Sequence, residues 1–150
     1  MDWSRLSPLP VENIYHVAAI VADFDRALEE MGRELGITWA EPRSGPGGFR
    51  ATYSRQGPPY LEIMQGVSDP RSVFTIEGGP RFHHVGIHVA DWAAEVERRK
   101  TAGWELERQL AEGLCFMKNG MGLRFEIVDV ARREWLWEWL HSEPEPPPAT

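Results

Sequence analysis

Apolar and polar positions along the chain follow the same order in two halves. Residues 13–21 and 82–90 are apolar and rich in β-branched side chains, which is the pattern of a buried strand. Each is followed by an aspartate, Asp23 or Asp91, and then by apolar residues at helical spacing that end at a glycine. Such an aspartate can accept hydrogen bonds from the free backbone N–H groups of a helix, and a glycine commonly ends one. The pattern therefore predicts a strand and then a capped helix in each half.

Three further strand patterns follow each predicted helix, separated by turns rich in glycine and proline. They cover residues 37–40, 49–55 and 60–65 in the first half and 104–110, 113–118 and 122–129 in the second. Asn119 and Gly120 separate the last two patterns, and this pair predicts a tight hairpin in which both residues take a positive φ. Each half therefore has the order β-α-β-β-β.

An alignment of the two halves indicates an internal duplication. The segment HVAAIVADFDRALEEM at 16–31 aligns with HVGIHVADWAAEVERR at 84–99, with six of sixteen positions identical. Later in each half, YLEIMQ at 60–65 aligns with RFEIVD at 124–129. We therefore predict an α+β fold in which two tandem βαβββ modules form a cupped mixed sheet, followed by a C-terminal helix.

The predicted division is one domain over residues 1–150. The first module covers 12–67 and the second 82–130, and a connector bounded by proline and glycine joins them at 68–81. A C-terminal helix is predicted at 131–141. The tail at 142–150 is acidic and rich in proline, so we expect it to be disordered.

The predicted C-terminal helix is unusually rich in tryptophan. Trp135, Leu136, Trp139 and Leu140 form one apolar stripe, whereas Trp137 lies off it. Such a stripe packs against the sheet or against a second copy of the chain. It could equally close an aromatic pocket over an apolar ligand, and the pattern alone leaves these alternatives open.

Composition narrows the class of ligand. The formal net charge is −7, which disfavours a nucleic-acid partner, and the longest apolar run, at 17–22, is too short for a membrane span. The N-terminus carries no signal pattern, so we expect a cytoplasmic protein. A single cysteine excludes an internal disulfide framework and any CxxC metal motif. The expected partners are a small-molecule substrate and a second copy of the chain in a homodimer.

Four polar residues occupy equivalent positions in the two modules. His16 and His84 lie early in the first strand of each, and Glu62 and Glu126 lie at the centre of apolar final strands. A buried glutamate requires a partner or a metal. If a pseudo-twofold axis relates the modules, the four side chains meet at the seam between them. Two imidazoles and two carboxylates suit a divalent metal ion such as Zn, Ni, Co, Fe or Mn.

The duplicated unit, its HVAAIVAD and HHVGIHVAD openings and its LEI and FEI strand ends resemble the vicinal oxygen chelate superfamily. This is the fold of glyoxalase I, methylmalonyl-CoA epimerase, bleomycin-resistance proteins and extradiol dioxygenases. The resemblance covers about residues 12–130 and is nearest to the epimerase-like and glyoxalase-like members. It implies metal ligation by His16, Glu62, His84 and Glu126. Epimerases usually carry glutamine at the position of Glu62, and the His/Glu/His/Glu set is nearer to glyoxalase I.

The resemblance implies a metal-dependent lyase or isomerase of the glyoxalase type. Such an enzyme stabilises the enediolate or enolate of a small carbonyl or acyl substrate through bidentate chelation. The resemblance also implies that one carboxylate, Glu126 or Glu62, acts as the catalytic base. Two alternatives share the fold. One is a metal-free binding or resistance protein that sequesters a hydrophobic aromatic compound. The other is an Fe(II) dioxygenase, which normally uses two histidines and one carboxylate.

The pattern assigns weaker roles to other residues. Strand alternation places His83 on the opposite face from His84, at the surface or at an interface. It places His88 on the same face as His84, as a donor to a metal ligand or to the pocket. Cys115 lies in an apolar strand and is expected to be a buried structural thiol. Glu41 follows the second predicted strand and could reach the cup as an extra acid or base. Solvated strand faces are expected for Arg50, Arg55 and Arg124.

Overall fold

The computed structural model describes residues 13–142. From residue 143 onward, the predicted disordered tail lies outside the described residues, and so does the N-terminal stretch without a signal pattern. The strands and helices, in chain order, are β1 Asn13–Val21, α1 Phe24–Leu35, β2 Arg43–Ser44, β3 Arg50–Tyr53, β4 Tyr60–Gln65, β5 Arg81–Val89, α2 Trp92–Thr101, β6 Glu105–Ala111, β7 Leu114–Lys118, β8 Arg124–Asp129 and α3 Arg133–Leu140.

The eight strands form one mixed sheet in the order β2-β3-β4-β1-β5-β8-β7-β6. Within each half the first strand runs parallel to the last, as β1 does to β4 and β5 does to β8. At the centre, β1 and β5 pair antiparallel, as a pseudo-twofold axis between them requires. The sheet curls into a half-barrel. The predicted α+β fold of two modules with a C-terminal helix is confirmed, whereas the division into one domain with the stated module limits stays a prediction.

Both predicted helix caps are present. The carboxylate of Asp23 accepts a hydrogen bond from the backbone N–H of Arg26 at 3.2 Å, and that of Asp91 accepts one from Ala94 at 3.0 Å. Gly36 ends α1 in the left-handed region, with a φ of 68°. The sequence therefore predicted both ends of α1 correctly.

The strand predicted at 37–40 does not form over its full length. Of these residues, only Trp39 forms a β-bridge, to Ser54 just after β3. Pro42 has no backbone N–H and interrupts the pairing, which resumes in the two residues of β2 opposite β3.

The hairpin between β7 and β8 exists, but its predicted tight turn is wrong. Lys118 pairs with Arg124, so five residues form the loop. The side chain of Asn119 accepts hydrogen bonds from two backbone N–H groups of the loop, each at 3.0 Å, and this bonding favours a wider turn. Gly122, with a φ of 81°, takes the left-handed conformation that was predicted for Asn119 and Gly120.

Helix α3 follows a short 3-10 turn and is shorter than the predicted 131–141. It packs on the inner face of the sheet of its own chain, where Leu136, Trp139 and Leu140 are buried. Arg55 holds its end, because the guanidinium donates to the carbonyl of Leu140 at 2.6 Å. Trp135 stays 45% exposed and lines the cavity described below, so the helix both docks on the sheet and forms a pocket wall.

Candidate metal centre

Two matching rows of side chains cross the centre of the sheet. Each row consists of an aromatic residue, a glutamate, a small residue and a histidine on four neighbouring strands. The first row is Tyr53, Glu62, Ala18 and His84, and the second is Phe116, Glu126, Gly86 and His16. Residues paired across a sheet point to the same face. The carboxylate and the imidazole of a row can therefore approach each other above the small residue between them.

The four predicted site residues converge at this seam. The Nε2 atoms of His16 and His84 lie 2.8 Å apart. The Oε2 atom of Glu62 lies 3.2 Å from the first nitrogen and 3.3 Å from the second. The Oε2 atom of Glu126 lies 3.5 Å and 4.0 Å from the same two atoms. All four residues are at least nine-tenths buried. Their convergence follows from their equivalent places in the two modules, and their role as ligands stays a prediction.

Gly86 leaves the space that the His16 ring occupies. A Cβ at this position would overlap the ring atoms of His16. The backbone of Gly86 does not have a positive φ, so packing rather than conformation requires a glycine here.

His83 was predicted to face away from His84, at the surface or at an interface, and this prediction is wrong. Ala18 pairs with His84 while Ala19 pairs with Phe82, so His83 is an extra residue in β5. Such a bulge breaks the alternation of faces. The imidazole of His83 is therefore buried beside that of His84 instead of facing away from it.

His83 determines which nitrogen of His84 faces the site. Its Nε2 atom lies 2.7 Å from the carbonyl oxygen of Val73, which can only accept, so this nitrogen carries the proton. Burial lowers the pKa of His83 to about 4, so the ring is neutral and its Nδ1 atom is an acceptor. The Nδ1 atom of His84, 2.8 Å away, is then the donor. In neutral His84 this leaves the Nε2 atom unprotonated, with its lone pair directed at the site.

A matching irregularity occurs in β1. Ile14 pairs with Ile87 and His16 pairs with Gly86, which makes Tyr15 the extra residue. The hydroxyl of Tyr15 donates to Oε2 of Glu126 at 2.9 Å. No polar motif marked Tyr15 in the sequence; only its alignment with His83 between the two modules could have indicated it.

His88 lines the cavity, on the same face as His84, as predicted. Its ring stacks on Tyr15 with the ring centres 3.9 Å apart. Burial lowers the pKa of His88 to about 4. Its Nε2 atom has no hydrogen-bond partner among residues 13–142.

Glu62 and His16 favour each other's charged forms. Burial alone would raise the pKa of Glu62, but its contacts with His16 and His84 outweigh this and hold the pKa well below its usual range. Burial would likewise lower the pKa of His16, but the neighbouring carboxylates of Glu62 and Glu126 raise it. Within the described chain, no lysine or arginine pairs with either carboxylate. A bound cation would supply the missing positive charge.

The donor set fits a divalent metal ion. Two donors that share one cation at about 2.1 Å lie about 3.0 Å apart in an octahedral shell and about 3.4 Å apart in a tetrahedral one. The N···N and N···O separations here span 2.8 to 4.0 Å. The ligand atoms of His16, His84 and Glu126 all lie within 4.8 Å of one another. Imidazole and carboxylate donors together suit Zn, Ni, Co, Fe or Mn.

A cavity of about 310 Å³ opens from this centre toward solvent. Glu62, His84 and Glu126 line its buried end, and Arg43 and the half-exposed Trp135 line its outer part. Most of the remaining lining is aromatic or aliphatic. Such a cavity, apolar with a few convergent polar groups, is typical of a small-molecule site.

Several residues considered from the sequence lie elsewhere. The side chain of Glu41 is exposed and does not line the cavity, so it is not an extra acid or base there. Cys115 is buried among apolar residues and burial raises its pKa to about 11, as expected of a structural thiol. Arg50 pairs with Asp25, and Arg124 pairs with Glu107. Arg55, which holds α3, is likewise not merely a solvated strand residue.

Two βαβββ modules joined into one half-barrel define the vicinal oxygen chelate class of fold. Residues 15–127 match the sequence model of the glyoxalase/bleomycin resistance protein/dioxygenase superfamily. Because this match spans most of its length, the chain belongs to that superfamily. No curated protein matches the sequence significantly.

Solved structures share the fold at low sequence identity. Methylmalonyl-CoA epimerase from Mycobacterium tuberculosis has a TM-score of 0.69 at 22% identity, covering 87% of this chain and 96% of that chain. A variant of the Streptomyces coelicolor epimerase in complex with 2-nitronate-propionyl-CoA has a TM-score of 0.65 at 18% identity, with coverages of 79% and 94%. A hypothetical protein from Bacillus halodurans reaches 0.67 at 16% identity, with coverages of 78% and 93%. These likenesses show the fold.

Within residues 13–142, no helix is long and apolar enough to cross a membrane.

Proposed function

We propose that the chain is a divalent-metal-dependent lyase or isomerase of the glyoxalase type, acting on a small carbonyl or acyl compound. One observation carries the proposal. Two buried carboxylates and two buried imidazoles direct their Oε2 and Nε2 atoms at one point, with N···N and N···O separations of 2.8–4.0 Å. Among the described residues, no lysine or arginine neutralises the carboxylates. His16, Glu62, His84 and Glu126 would hold the cation.

When bound, the cation supplies Lewis-acid chemistry, because it polarises neighbouring substrate oxygens and so acidifies the adjacent C–H bond. We propose Glu62 as the base that accepts this proton. The Oε2 atom of Glu126 already accepts a hydrogen bond from the Tyr15 hydroxyl at 2.9 Å, so one of its lone pairs is occupied. The Oε2 atom of Glu62 accepts no such hydrogen bond among residues 13–142. The two carboxylates are thus suited to different tasks.

The lining of the cavity supports this chemistry by limiting access of water. Phe116 lies beside His84, with ring centres 4.8 Å apart, and Tyr53 lies beside His16 at 5.3 Å. Both rings are almost completely buried. Electrostatic interactions at the site are therefore screened less than they would be in water.

Proton exchange in Glu62→Gln and Glu126→Gln variants tests the proposal. We expect the wild-type protein, loaded with Zn, Ni, Co or Mn, to exchange a substrate C–H for deuterium in D2O. The substrates are methylglyoxal–glutathione hemithioacetal and acyl-CoA thioesters, observed by NMR. In Glu62→Gln the rate should fall by about 100-fold or more while the metal stays bound, because the amide oxygen can ligate but the amide cannot accept the proton.

The outcomes separate the two parts of the proposal. If the larger loss of exchange occurs in Glu126→Gln with the metal retained, the assignment of the base to Glu62 is wrong. If the wild-type protein binds none of these metals by calorimetry and gains no thermal stability from them, the metal-dependent function itself is wrong.

Replacement of His83, the neighbour of the proposed metal ligand His84, is expected to weaken metal binding. His83→Phe removes the acceptor that fixes the Nδ1 proton of His84, so the metal affinity should fall ten- to 100-fold. Calorimetric titration with Zn and Ni measures this change. His141→Phe is the matched control, because its exposed ring lies at the end of α3 and does not line the cavity. Equal affinities in the two variants would show that His83 does not orient the ligand.

A homodimer and a cytoplasmic location stay predictions from the sequence.

A further inference from the structure

Among residues 13–142, Arg43 in the outer part of the cavity has no anionic partner. Its guanidinium lies over the ring of Trp139 at 4.6 Å and over that of Trp135 at 5.0 Å. These contacts hold the guanidinium over two indole rings and use none of its N–H donors. Among residues 13–142, no carboxylate pairs with Arg43 and no acceptor takes a hydrogen bond from its side chain. The position therefore offers a preoriented donor to an anionic group from outside the described chain.

Two chains of aromatic rings connect this outer region with the metal centre. In the first, Trp139 meets Tyr53 edge to face at 4.9 Å, and Tyr53 meets His16 at 5.3 Å. The indole N–H of Trp139 donates to the backbone carbonyl of Glu41 at 2.7 Å, so this ring is fixed in place. Arg43 lies on the outer end of this chain of rings.

The second chain of rings leads to the other histidine. Phe49 packs on Phe74 at 4.5 Å, Phe74 on Phe116 at 5.8 Å, and Phe116 on His84 at 4.8 Å. All three phenylalanines line the cavity. Aromatic surfaces of this kind favour flat, apolar groups, because rings stack on or meet one another edge to face.

We infer that the cavity takes a compact substrate with a flat aromatic body and an anionic group that pairs with Arg43. A cavity of about 310 Å³ has the volume of about ten water molecules, which suits one or two fused rings with short substituents. The anionic group belongs at the outer end, because the buried end carries the carboxylates of Glu62 and Glu126. That the vicinal oxygens of the substrate face the metal centre rests on the proposed function.

The part of this inference that needs no metal can be tested on EDTA-treated protein. The probes are 2-naphthoate and its neutral analogue 2-naphthalenemethanol, titrated by calorimetry. We expect 2-naphthoate to bind about tenfold more tightly than the alcohol. In Arg43→Met, whose side chain can still pack on the tryptophans, this advantage should disappear. In Arg26→Met it should remain, because Arg26 lies on α1, away from the cavity. Equal affinities for both probes, or equal losses in both variants, would overturn the inference.

A third probe separates this inference from the proposed function. The hydroxamate 6-carboxy-2-naphthohydroxamate carries two vicinal oxygens opposite its carboxylate. In Ni-loaded protein it should bind at least tenfold more tightly than in EDTA-treated protein, and more tightly than acetohydroxamate, which lacks the rings. No gain from the metal, with 2-naphthoate still selective for Arg43, would contradict the metal function alone. A gain from the metal with equal affinities for both hydroxamates would contradict the aromatic specificity alone.

Discussion

Replacement of His84 by alanine is expected to weaken binding of a divalent cation by more than about 100-fold. Loss of a residue that only supports a metal ligand already lowers affinity ten- to 100-fold, and loss of the ligand itself should exceed this. His84 contributes a nitrogen 3.3 Å from Oε2 of Glu62 and 2.8 Å from Nε2 of His16, so its removal leaves three of the four convergent donors. Calorimetric titration with Zn and Ni measures the affinity. A thermal melt with and without metal measures the linked stabilisation.

The control for this variant is His141→Ala. His141 is exposed, and its ring lies against Trp137 at the end of α3. Its removal should leave the metal affinity and the metal-dependent rise in melting temperature unchanged. A His84→Ala protein that titrates like His141→Ala would show that the convergent side chains are not a metal centre.

A single methyl group added at Gly86 is expected to lower both the stability of the fold and its metal affinity. In Gly86→Ala the new Cβ would overlap the ring of His16, which has no free space because it is fully buried. Overpacking of this kind lowers the free energy of unfolding by about 1–3 kcal/mol. Displacement of the ring should also lower the metal affinity by at least about tenfold. Urea denaturation and calorimetry measure the two effects.

Two further variants test whether overlap with the His16 ring is what destabilises Gly86→Ala. Gly120→Ala is the matched control, since no atom lies within 4 Å of the added Cβ and its φ is not positive, so its stability should change by less than about 0.5 kcal/mol. In the double variant His16→Ala with Gly86→Ala, the clash disappears and the added methyl group should no longer destabilise. If Gly86→Ala destabilises equally with and without the His16 ring, the explanation by steric overlap is wrong.

The duplication explains how much of the site could be predicted from the sequence. His16 aligns with His84 and Glu62 aligns with Glu126, and a twofold arrangement brings aligned positions together at the central strands. The repeat gives each of these residues a fixed place within its module. It therefore placed the four side chains at the seam without any knowledge of the loops.

The incorrect predictions for His83 and for the turn after β7 arise from local departures from regular strand and turn geometry. Alternation along a strand assigned His83 to the wrong face, because a bulge is not visible in the apolar pattern. The predicted tight turn of the β7–β8 hairpin is wrong because the side chain of Asn119 accepts a hydrogen bond from the backbone of the loop. Arg43 was not considered, because its importance depends on Trp135 and Trp139, which lie about a hundred positions away in the chain. Contacts of this kind arise only from the tertiary fold.

The two bulges also make the halves of the centre chemically unequal. At equivalent positions, Tyr15 donates to the carboxylate of Glu126, whereas His83 orients the ring of His84. A centre with perfect twofold symmetry would present the same groups to both sides of a molecule bound on its axis. Because these two side chains differ, the two sides of the centre are held by different hydrogen bonds. In a duplicated fold, a chemical difference between the two sides of a shared site thus arises at the positions where the copies have diverged.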